Sequence, residues 1–247
     1  MTTSNRRVAL VTGSATGIGR ATALRFAREG IAVAVNYSRS QAEAEQTFAE
    51  ARRFGVDAIL CKANVGNDRE VRAMVDRCRA ELGGLDFLVN NAATTRFIDH
   101  TDLEALSDEV WDEILGVNVK GTYYCCRAAM PLLRERRGSI VNVTSVAGLQ
   151  GQGSSIAYAA SKAAVNCLTK SLARAFAPEV RVNAVAPGPV LTRWLAGRQE
   201  QIDRYLQSTP LHRAATPEDI ADAVAFLALS ASLMTGQVIV VDGGRTM

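Results

Sequence analysis

Seven short apolar runs, each joined to the next by a longer amphipathic stretch, constrain the fold of this chain more than any other feature. Nearly continuous apolar strands that alternate with helices are typical of a parallel sheet covered on both faces. The pattern therefore predicts a doubly wound α/β fold. The predicted strands are RVALVT (7–12), IAVAVN (31–36), VDAILCK (56–62), LDFLVN (85–90), SIVNVTS (139–145), VRVNAVA (180–186) and QVIVVD (237–242).

Length and composition favour a single domain. The chain has 247 residues, 48% of them hydrophobic and 21% charged, and undivided α/β domains often reach this size. No linker, repeat or low-complexity tract interrupts it, so we predict one domain over residues 1–247. Residues 190–215 combine Trp, Tyr and many polar side chains, and we predict a helical lid over a substrate pocket there. The alternative is an ordinary pair of surface helices.

Composition also excludes several classes of function. The net charge is only +3 and the arginines are spread along the chain, which argues against nucleic acid as a partner. No apolar stretch approaches the roughly 18 residues of a membrane span. Five cysteines without a C-x-x-C pair indicate reduced thiols in a cytoplasmic protein. His100 and His212 are far apart in sequence, so we expect no metal site.

A glycine-rich segment, TGSATGIG (12–19), follows the first predicted strand and opens the first predicted helix. Glycines at this position let backbone N–H groups approach a pyrophosphate at the helix N-terminus. The spacing is G-x-x-x-G-x-G, and such a loop by itself is weak evidence because many turns use glycine. Its place between strand and helix makes a dinucleotide the favoured ligand.

The end of the second strand indicates which dinucleotide is bound. An acidic residue there would bind the ribose 2′-hydroxyl and repel a 2′-phosphate. The segment VNYSRS (35–40) contains no acid, whereas Arg39 and two serine hydroxyls could hold a phosphate. We therefore predict that NADP(H) is preferred and NAD(H) is tolerated. The alternative is that Arg39 only faces water.

A tyrosine and a lysine lie four positions apart in YAASK (158–162). On a helix, Tyr158 and Lys162 would project from the same face. A free phenol titrates near pH 10, so forming phenolate at neutral pH costs roughly 4 kcal/mol, and a neighbouring ammonium lowers that cost. The alternative for an isolated pair is a surface aromatic covered by the lysine stem.

These motifs occur together with NNAA (90–93) after the fourth strand and with Ser145 after the fifth, 13 positions before Tyr158. On this set the chain resembles the short-chain dehydrogenase/reductase family over essentially its whole length. Within the family it is similar to 3-oxoacyl-acyl-carrier-protein reductases and to glucose dehydrogenase-like members. The resemblance implies a seven-stranded Rossmann fold and a homotetramer built through the helices around 100–135 and 157–177 and the C-terminal strand.

The resemblance also implies roles for four residues. Tyr158 is the expected general acid/base, and Lys162 is expected to bind the nicotinamide ribose and, with the oxidised ring, to lower the pKa of the tyrosine. Ser145 is expected to hold the substrate oxygen. Asn118, in GVNVKG, matches an asparagine at a helix distortion that supports a water relay to the lysine.

Further matches concern the cofactor. Asn90 is expected to brace the central strands, Asn64 stands where the family commonly has an aspartate near adenine, and Ala93 replaces a usual glycine. The segment PGPVLT (187–192) is similar to the one that lines the nicotinamide carboxamide. The predicted cofactor-binding residues are Gly13, Ser14, Thr16, Gly17, Ile18, Gly19, Tyr37, Ser38, Arg39, Asn64, Val65, Asn91, Tyr158, Lys162, Pro187, Gly188, Val190 and Thr192.

Three functions remain open at this point. The first is an NADP(H)-dependent reductase of carbonyl groups, most similar to a 3-oxoacyl-acyl-carrier-protein reductase. Arg136 could meet an acidic carrier protein, although Glu179 stands where such enzymes often have a second basic residue. The second is a dehydrogenase of a small alcohol, sugar or ketone. The third is a non-catalytic NADP-binding protein, which would be expected to have lost Tyr158 or Lys162.

Overall fold

Seven parallel strands form one sheet in the computed structural model, which describes residues 6–247; residues 1–5 of the predicted domain lie outside the described residues. Each strand lies within two residues of its predicted bounds. The assignment of the whole chain to one domain stays a prediction. The strands are Val8–Val11 (β1), Ala32–Tyr37 (β2), Ala58–Lys62 (β3), Phe87–Asn90 (β4), Ser139–Val143 (β5), Arg181–Pro187 (β6) and Val238–Val241 (β7).

Helices connect the strands and cover both faces of the sheet. The predicted doubly wound α/β class is therefore confirmed. The helices are Gly17–Arg28 (α1), Gln41–Arg52 (α2), Asp68–Leu82 (α3), Asp108–Leu115 (α4), Thr122–Arg136 (α5), Ala147–Gln150 (α6), Ile156–Phe176 (α7), Gln199–Gln207 (α8) and Pro217–Ala225 (α9).

The side chains of β1 alternate between two buried apolar clusters. Ala9 and Val11 pack with α1, α2 and α9 on one face, whereas Val8 and Leu10 pack with α3 and α5 on the other. Successive residues of a strand point to opposite faces, and here both faces are buried. Burial on both sides is the physical reason why the strand sequences are continuously apolar rather than alternating.

The strand order, β3-β2-β1-β4-β5-β6-β7, reverses direction beside β1. β1 pairs with β2 on one side and with β4 on the other. Ligands of open α/β sheets bind beyond the carboxyl ends of the strands, at such a switch point. The loops that follow β1, β4, β5 and β6 meet at this edge, and all of them carry predicted site residues.

The segment predicted as a lid is partly helical. It contains the 3₁₀ turn Arg193–Leu195 and α8, and a single parallel bridge between Val190 and Ala215 closes its base.

Elsewhere, α4 passes into α5 through a π-helical turn, Gly116–Gly121. Within residues 6–247, none of the helices has both the length and the apolar character needed to cross a membrane.

Candidate active site

A cleft of about 1400 Å³ lies at the carboxyl edge of the sheet. Most of the predicted site residues line it, and they come from seven separate segments of the chain. Ser14, Gly19 and Asn118 do not line the cleft but lie behind its wall. The predicted residues that line it are Gly13, Thr16, Gly17, Ile18, Tyr37, Ser38, Arg39, Asn64, Val65, Asn91, Ser145, Tyr158, Lys162, Pro187, Gly188, Val190 and Thr192.

The glycine loop has a conformation that side chains would prevent. Gly13 has φ +63°, and a Cβ atom there would lie 2.9 Å from Ala92 Cα. A Cβ atom on Gly19 would lie 2.4 Å from the carbonyl oxygen of Gly13, so α1 packs against the loop only because residue 19 is glycine. The loop and the N-terminus of α1 thereby offer backbone N–H groups to an anion.

Asn36, at the end of β2, holds this loop in place through side-chain hydrogen bonds. Its Oδ1 accepts a hydrogen bond from Gly13 N at 2.9 Å, and its Nδ2 donates to the carbonyl oxygens of Cys61 and Ala63 at 3.1 and 3.0 Å. Ser14 Oγ donates to Val11 O and accepts from Asn36 N. Sequence analysis did not assign Asn36 to the site; an amide inside the apolar run IAVAVN was the signal that could have found it.

Two asparagines after β4 hold the opposite side. Asn91 Nδ2 donates to the carbonyl oxygens of Thr12 and Gly13 at 2.9 and 3.1 Å. Asn90 Nδ2 donates to Asn142 Oδ1 at 2.9 Å and so joins β4 to β5, which is the bracing expected of it. The glycine-loop end of the cleft is therefore held by side-chain amides on both sides, that of Asn36 buried and that of Asn91 partly buried.

Cations surround the end of the cleft beside β2. Arg39 is exposed and lines the cleft, and no ion pair or hydrogen bond within residues 6–247 holds its guanidinium. Arg193, from the lid, reaches across and donates from Nη1 to Ser40 Oγ at 3.1 Å. Sequence analysis did not predict Arg193 because its position depends on how the lid docks.

α7 carries the tyrosine and the lysine. Ser155 caps the helix by accepting a hydrogen bond from Tyr158 N at 3.2 Å, and this cap sets the helix register. Tyr158 and Lys162 then project from one face, with Lys162 Nζ 5.6 Å from the centre of the tyrosine ring. Lys162 Nζ also donates to Val143 O at 2.9 Å, which ties the helix to the end of β5.

Burial controls the protonation of this pair. It raises the pKa of Tyr158 to about 12, while the hydrogen bond with Ser145 opposes that rise, and it lowers the pKa of Lys162 to about 8. The expected lowering of the tyrosine pKa is not produced by the chain's own groups, because burial outweighs them. The phenol is therefore a protonated group at neutral pH, as a proton donor must be.

Asn118 lies in the predicted helix distortion, the π-helical turn. Its Oδ1 accepts from Thr94 N at 2.8 Å, and its Nδ2 donates to Thr94 O and to Ser161 Oγ, each at 3.0 Å. Ser161 Oγ donates in turn to Tyr158 O at 2.7 Å. Asn118 thus joins one wall of the cleft to the helix that carries Tyr158.

The segment predicted as a lid lines the remaining side of the cleft. Trp194 meets the ring of Tyr158 edge to face, with centroids 6.1 Å apart. The Arg198 guanidinium lies 3.7 Å from the centre of the Phe97 ring on the opposite wall. Residues 192–196, Arg198 and Tyr205 all line the cleft, and the action of this segment as a substrate lid stays a prediction.

The polar groups of the site do not form a metal-binding cluster. Within residues 6–247, no cluster of three or more His, Cys, Asp or Glu side chains could hold a metal ion. The assembled elements are a glycine loop at a helix N-terminus, a protonated tyrosine, a serine hydroxyl bonded to it and a lysine beside them. This arrangement can bind a dinucleotide and exchange a proton with an oxygen atom placed near Tyr158 and Ser145.

A family model described as enoyl-(acyl carrier protein) reductase matches residues 13–246. A solved structure from Burkholderia xenovorans, described as a short-chain dehydrogenase/reductase, superposes with a TM-score of 0.93 at 43% identity and covers 98% of both chains. The chain belongs to the short-chain dehydrogenase/reductase family.

Two curated relatives of this short-chain dehydrogenase/reductase are ketoreductases by name. Ketoacyl reductase 2 of the granaticin polyketide synthase from Streptomyces violaceoruber is 47% identical, over 96% of this chain and 95% of the relative. The 3-oxoacyl-[acyl-carrier-protein] reductase FabG of Staphylococcus aureus is 42% identical, over 97% and 98%. The protein is an NAD(P)-dependent oxidoreductase that acts on carbonyl or alcohol groups.

The residues of the cleft fit the nicotinamide cofactor that this family implies. Gly13 and Gly19 have no room for a side chain, so the loop packs closely against the N-terminus of α1, and the backbone amides there suit a pyrophosphate. Lys162 and Tyr158 line the same cleft as this loop. The cofactor supplies or accepts a hydride when bound.

Proposed function

We propose that the protein is an NADP(H)-dependent reductase of 3-oxoacyl thioesters, with the acyl chain carried on an acyl carrier protein. The observation that carries the proposal is the half-buried Tyr158, which is hydrogen-bonded to Ser145 and lines the same cleft as the glycine loop. The names of the two ketoreductase relatives support the substrate class.

In this proposal Tyr158 is the general acid. Its pKa of about 12 keeps the phenol protonated at neutral pH, so the proton is present when a carbonyl oxygen needs it. Ser145 Oγ, which is hydrogen-bonded to the phenol, holds the same carbonyl oxygen and fixes its distance from the proton. The developing alkoxide then takes the phenolic proton as the C–O bond becomes single.

Lys162 and Asn118 support that step. The Lys162 ammonium stabilises the phenolate that remains after proton transfer and binds the ribose hydroxyls of the cofactor. Asn118 holds the loop around Thr94 against α7 and so positions Tyr158. The water relay through Asn118 stays a prediction.

The preference for NADP(H) follows from charge at the adenosine end. Arg39 and Arg193 flank Ser40 there, and no Asp or Glu within the described residues lines this part of the cleft. A 2′-phosphate would give these two guanidinium groups an anionic partner, whereas a 2′-hydroxyl would leave both charges without one. NAD(H) remains a slower alternative.

Arg136 by itself does not support the docking of an acyl carrier protein. Arg136 Nη2 donates to Gly83 O at 2.9 Å, and Glu179 is ion-paired with Arg134 at 3.1 Å. The carrier-protein part of the proposal therefore rests on the relatives' names. The second candidate, a dehydrogenase of a small alcohol, sugar or ketone, uses the same tyrosine and serine.

A substrate panel with both cofactors tests the proposal. We expect acetoacetyl-acyl carrier protein to be reduced with NADPH at least about 10-fold faster, in kcat/KM, than with NADH. Crotonyl thioesters test the enoyl reduction named by the family model, and glucose and simple secondary alcohols test the second candidate. Turnover of sugars without turnover of the 3-oxoacyl thioester would reject the proposal.

Replacement of Tyr158 by Phe tests the chemistry. We expect kcat to fall by about 10²- to 10⁴-fold because the proton donor is lost while the ring is kept. NADPH affinity, measured by fluorescence, serves as the control and should change little. Undiminished turnover by a folded Tyr158→Phe variant would exclude Tyr158 as the general acid.

The assembly and the location stay predictions. Tyr123 on α5, Phe226 after α9 and Val240 on the edge strand β7 are large apolar side chains that are exposed in one chain. Such exposure suits burial in a homotetramer through these elements. Light scattering decides the oligomeric state, and a cytoplasmic location stays an expectation from the sequence.

A further inference from the structure

The part of the cleft lined by Arg198, Tyr205, Arg245, His100 and Phe97 is called the substrate end here, and it is positively charged. Arg198 and Arg245 line it, and neither is in an ion pair within residues 6–247. The single carboxylate among the described lining residues is Glu113, which is bound to Arg96 at 2.8 Å and is therefore neutralised. An electrostatic field of this sign favours a negatively charged group on the substrate.

Arg245 has hydrogen-bonding capacity that the protein does not use. Its guanidinium lies 4.4 Å from the centre of the Tyr205 ring on α8. Its Nη1 is shielded from solvent and has no hydrogen-bond partner in the described part of the chain. A buried donor without a partner is costly, and a charged donor more so, unless a ligand completes it.

A second polar atom in the same cleft is also incomplete. Nε2 of His100, on the wall that also carries Phe97, is buried without a partner among residues 6–247. The polar groups below the glycine loop, by contrast, are bonded to one another. Two incomplete groups that both line the substrate end indicate that the bound molecule itself supplies hydrogen-bonding groups there, and for Arg245 that group is an acceptor.

We propose that the substrate carries an anionic group, a phosphate or a carboxylate, which Arg245 binds at the lid side of the cleft. The inference rests on the proposed carbonyl reduction and names its substrate class more narrowly. Arg198 adds attraction at the rim, and stacking on Tyr205 holds the Arg245 guanidinium in place. The phosphate of a 4′-phosphopantetheine arm and the carboxylate of an oxo acid are the two sources of such a group.

Matched substrates test the charge directly. Acetoacetyl-4′-phosphopantetheine is compared with acetoacetyl-pantetheine, which differs only by the phosphate, and 4-oxopentanoate is compared with its methyl ester. We expect the wild-type protein to prefer the anionic member of at least one pair by about 10-fold or more in kcat/KM. The pair that shows the preference identifies the source of the anion.

Variants assign the preference to Arg245. Arg245→Gln should lower kcat/KM for the anionic substrate by about 10- to 100-fold and change that for its neutral partner by less than about 2-fold. Arg245→Lys keeps the charge and should retain part of the preference. Arg53→Gln removes an equal charge from an exposed position outside the cleft and should leave the preference unchanged.

Each outcome separates the two proposals. Equal rates on both members of each pair by wild type, or an unchanged preference in Arg245→Gln, would overturn the anion site and leave carbonyl reduction intact. No reduction of any oxo substrate would overturn the proposed function and, with it, this inference. Loss of activity on neutral and anionic substrates alike in both Arg245 variants would also count against the anion site.

Discussion

The two ends of the cleft are built differently. At the cofactor end, Asn36, Ser14 and Asn91 bond to the glycine loop and to neighbouring strands, so the polar groups under the loop are paired before any ligand arrives. At the substrate end, Arg245 and His100 keep buried polar atoms without partners among residues 6–247. The protein itself completes the groups that bond the glycine loop, although Asn90 Oδ1 between the strands has no partner among the described residues, whereas Arg245 and His100 are left for the substrate to complete.

The difference follows from the elements beneath each end. The cofactor end stands on the carboxyl ends of parallel strands, where the register of the sheet fixes every backbone group. The substrate end is made by the lid, by the segment after β4 and by the C-terminal residues after β7, none of which belongs to the sheet. A shared cofactor requires a fixed cradle, whereas substrate choice can vary with these segments.

Replacement of Asn36 by Ala should give the largest loss of stability. It removes the partner of Gly13 N and of two buried carbonyl oxygens. Because each unsatisfied buried group costs about 1–3 kcal/mol, we expect the free energy of unfolding to fall by about 3–5 kcal/mol in urea denaturation, with a raised KM for NADPH.

Asn64→Ala is the matched control at the same end. Asn64 is exposed and accepts one hydrogen bond, from Gly66 N, so its removal should cost about 1 kcal/mol or less. If the two variants lost equal stability, the paired network beneath the loop would not be what holds the cofactor end.

Replacement of Lys162 by Met should stabilise the fold while it removes activity. Burial lowers the pKa of Lys162 from 10.5 to about 8, so the folded chain binds fewer protons than the unfolded chain between these pH values. The free energy of unfolding therefore decreases as pH falls from 10.5 to 8. Below pH 8 the full penalty for burying the charged ammonium applies. It amounts to about 3 kcal/mol, and loss of the bond to Val143 O offsets part of it.

Urea denaturation at several pH values measures this effect. We expect Lys162→Met to be about 1–3 kcal/mol more stable than wild type at pH 7, with the difference shrinking towards pH 10. Above pH 10 the raised pKa of Tyr158 lowers stability in both proteins, so the comparison ends there. A variant that is less stable than wild type at pH 7 would show that the ammonium is fully compensated in the fold.

The same contrast explains what could be predicted from the sequence. The strands and their parallel arrangement were predictable because the apolar periodicity reports a sheet that is covered on both faces, whereas many of the cleft residues from Gly13 to Thr192 were expected from the family resemblance. Asn36 was missed because a buried amide in an apolar run does not say what it bonds. Arg193 and Arg245 were missed because their positions depend on long-range packing of segments that have no repeating pattern.

Replacement of Arg193 by Gln tests whether the lid contributes to the cofactor end. Arg193 is the lid residue that reaches Ser40, beside the expected 2′-phosphate. We expect kcat/KM for NADPH to fall by about 10-fold and that for NADH to change by less than about 2-fold. Arg204→Gln is the control, since Arg204 lies on α8 outside the cleft lining. An equal fall with both cofactors would assign Arg193 to the lid alone.

Replacement of Arg198 by Gln should have the smallest effect on stability. Its guanidinium is exposed and contacts the Phe97 ring at 3.7 Å, a contact worth about 0.5–1 kcal/mol at an exposed site. We expect the free energy of unfolding to change by less than about 1 kcal/mol, and amide exchange within α8 to become up to about 5-fold faster because the lid opens more readily. A loss comparable to that of Asn36→Ala would show that the substrate end is as firmly built as the cofactor end. Faster amide exchange in α8 without a loss of global stability would instead show that the lid opens independently of the sheet. Such independence is expected of an end of the cleft that the bound substrate completes.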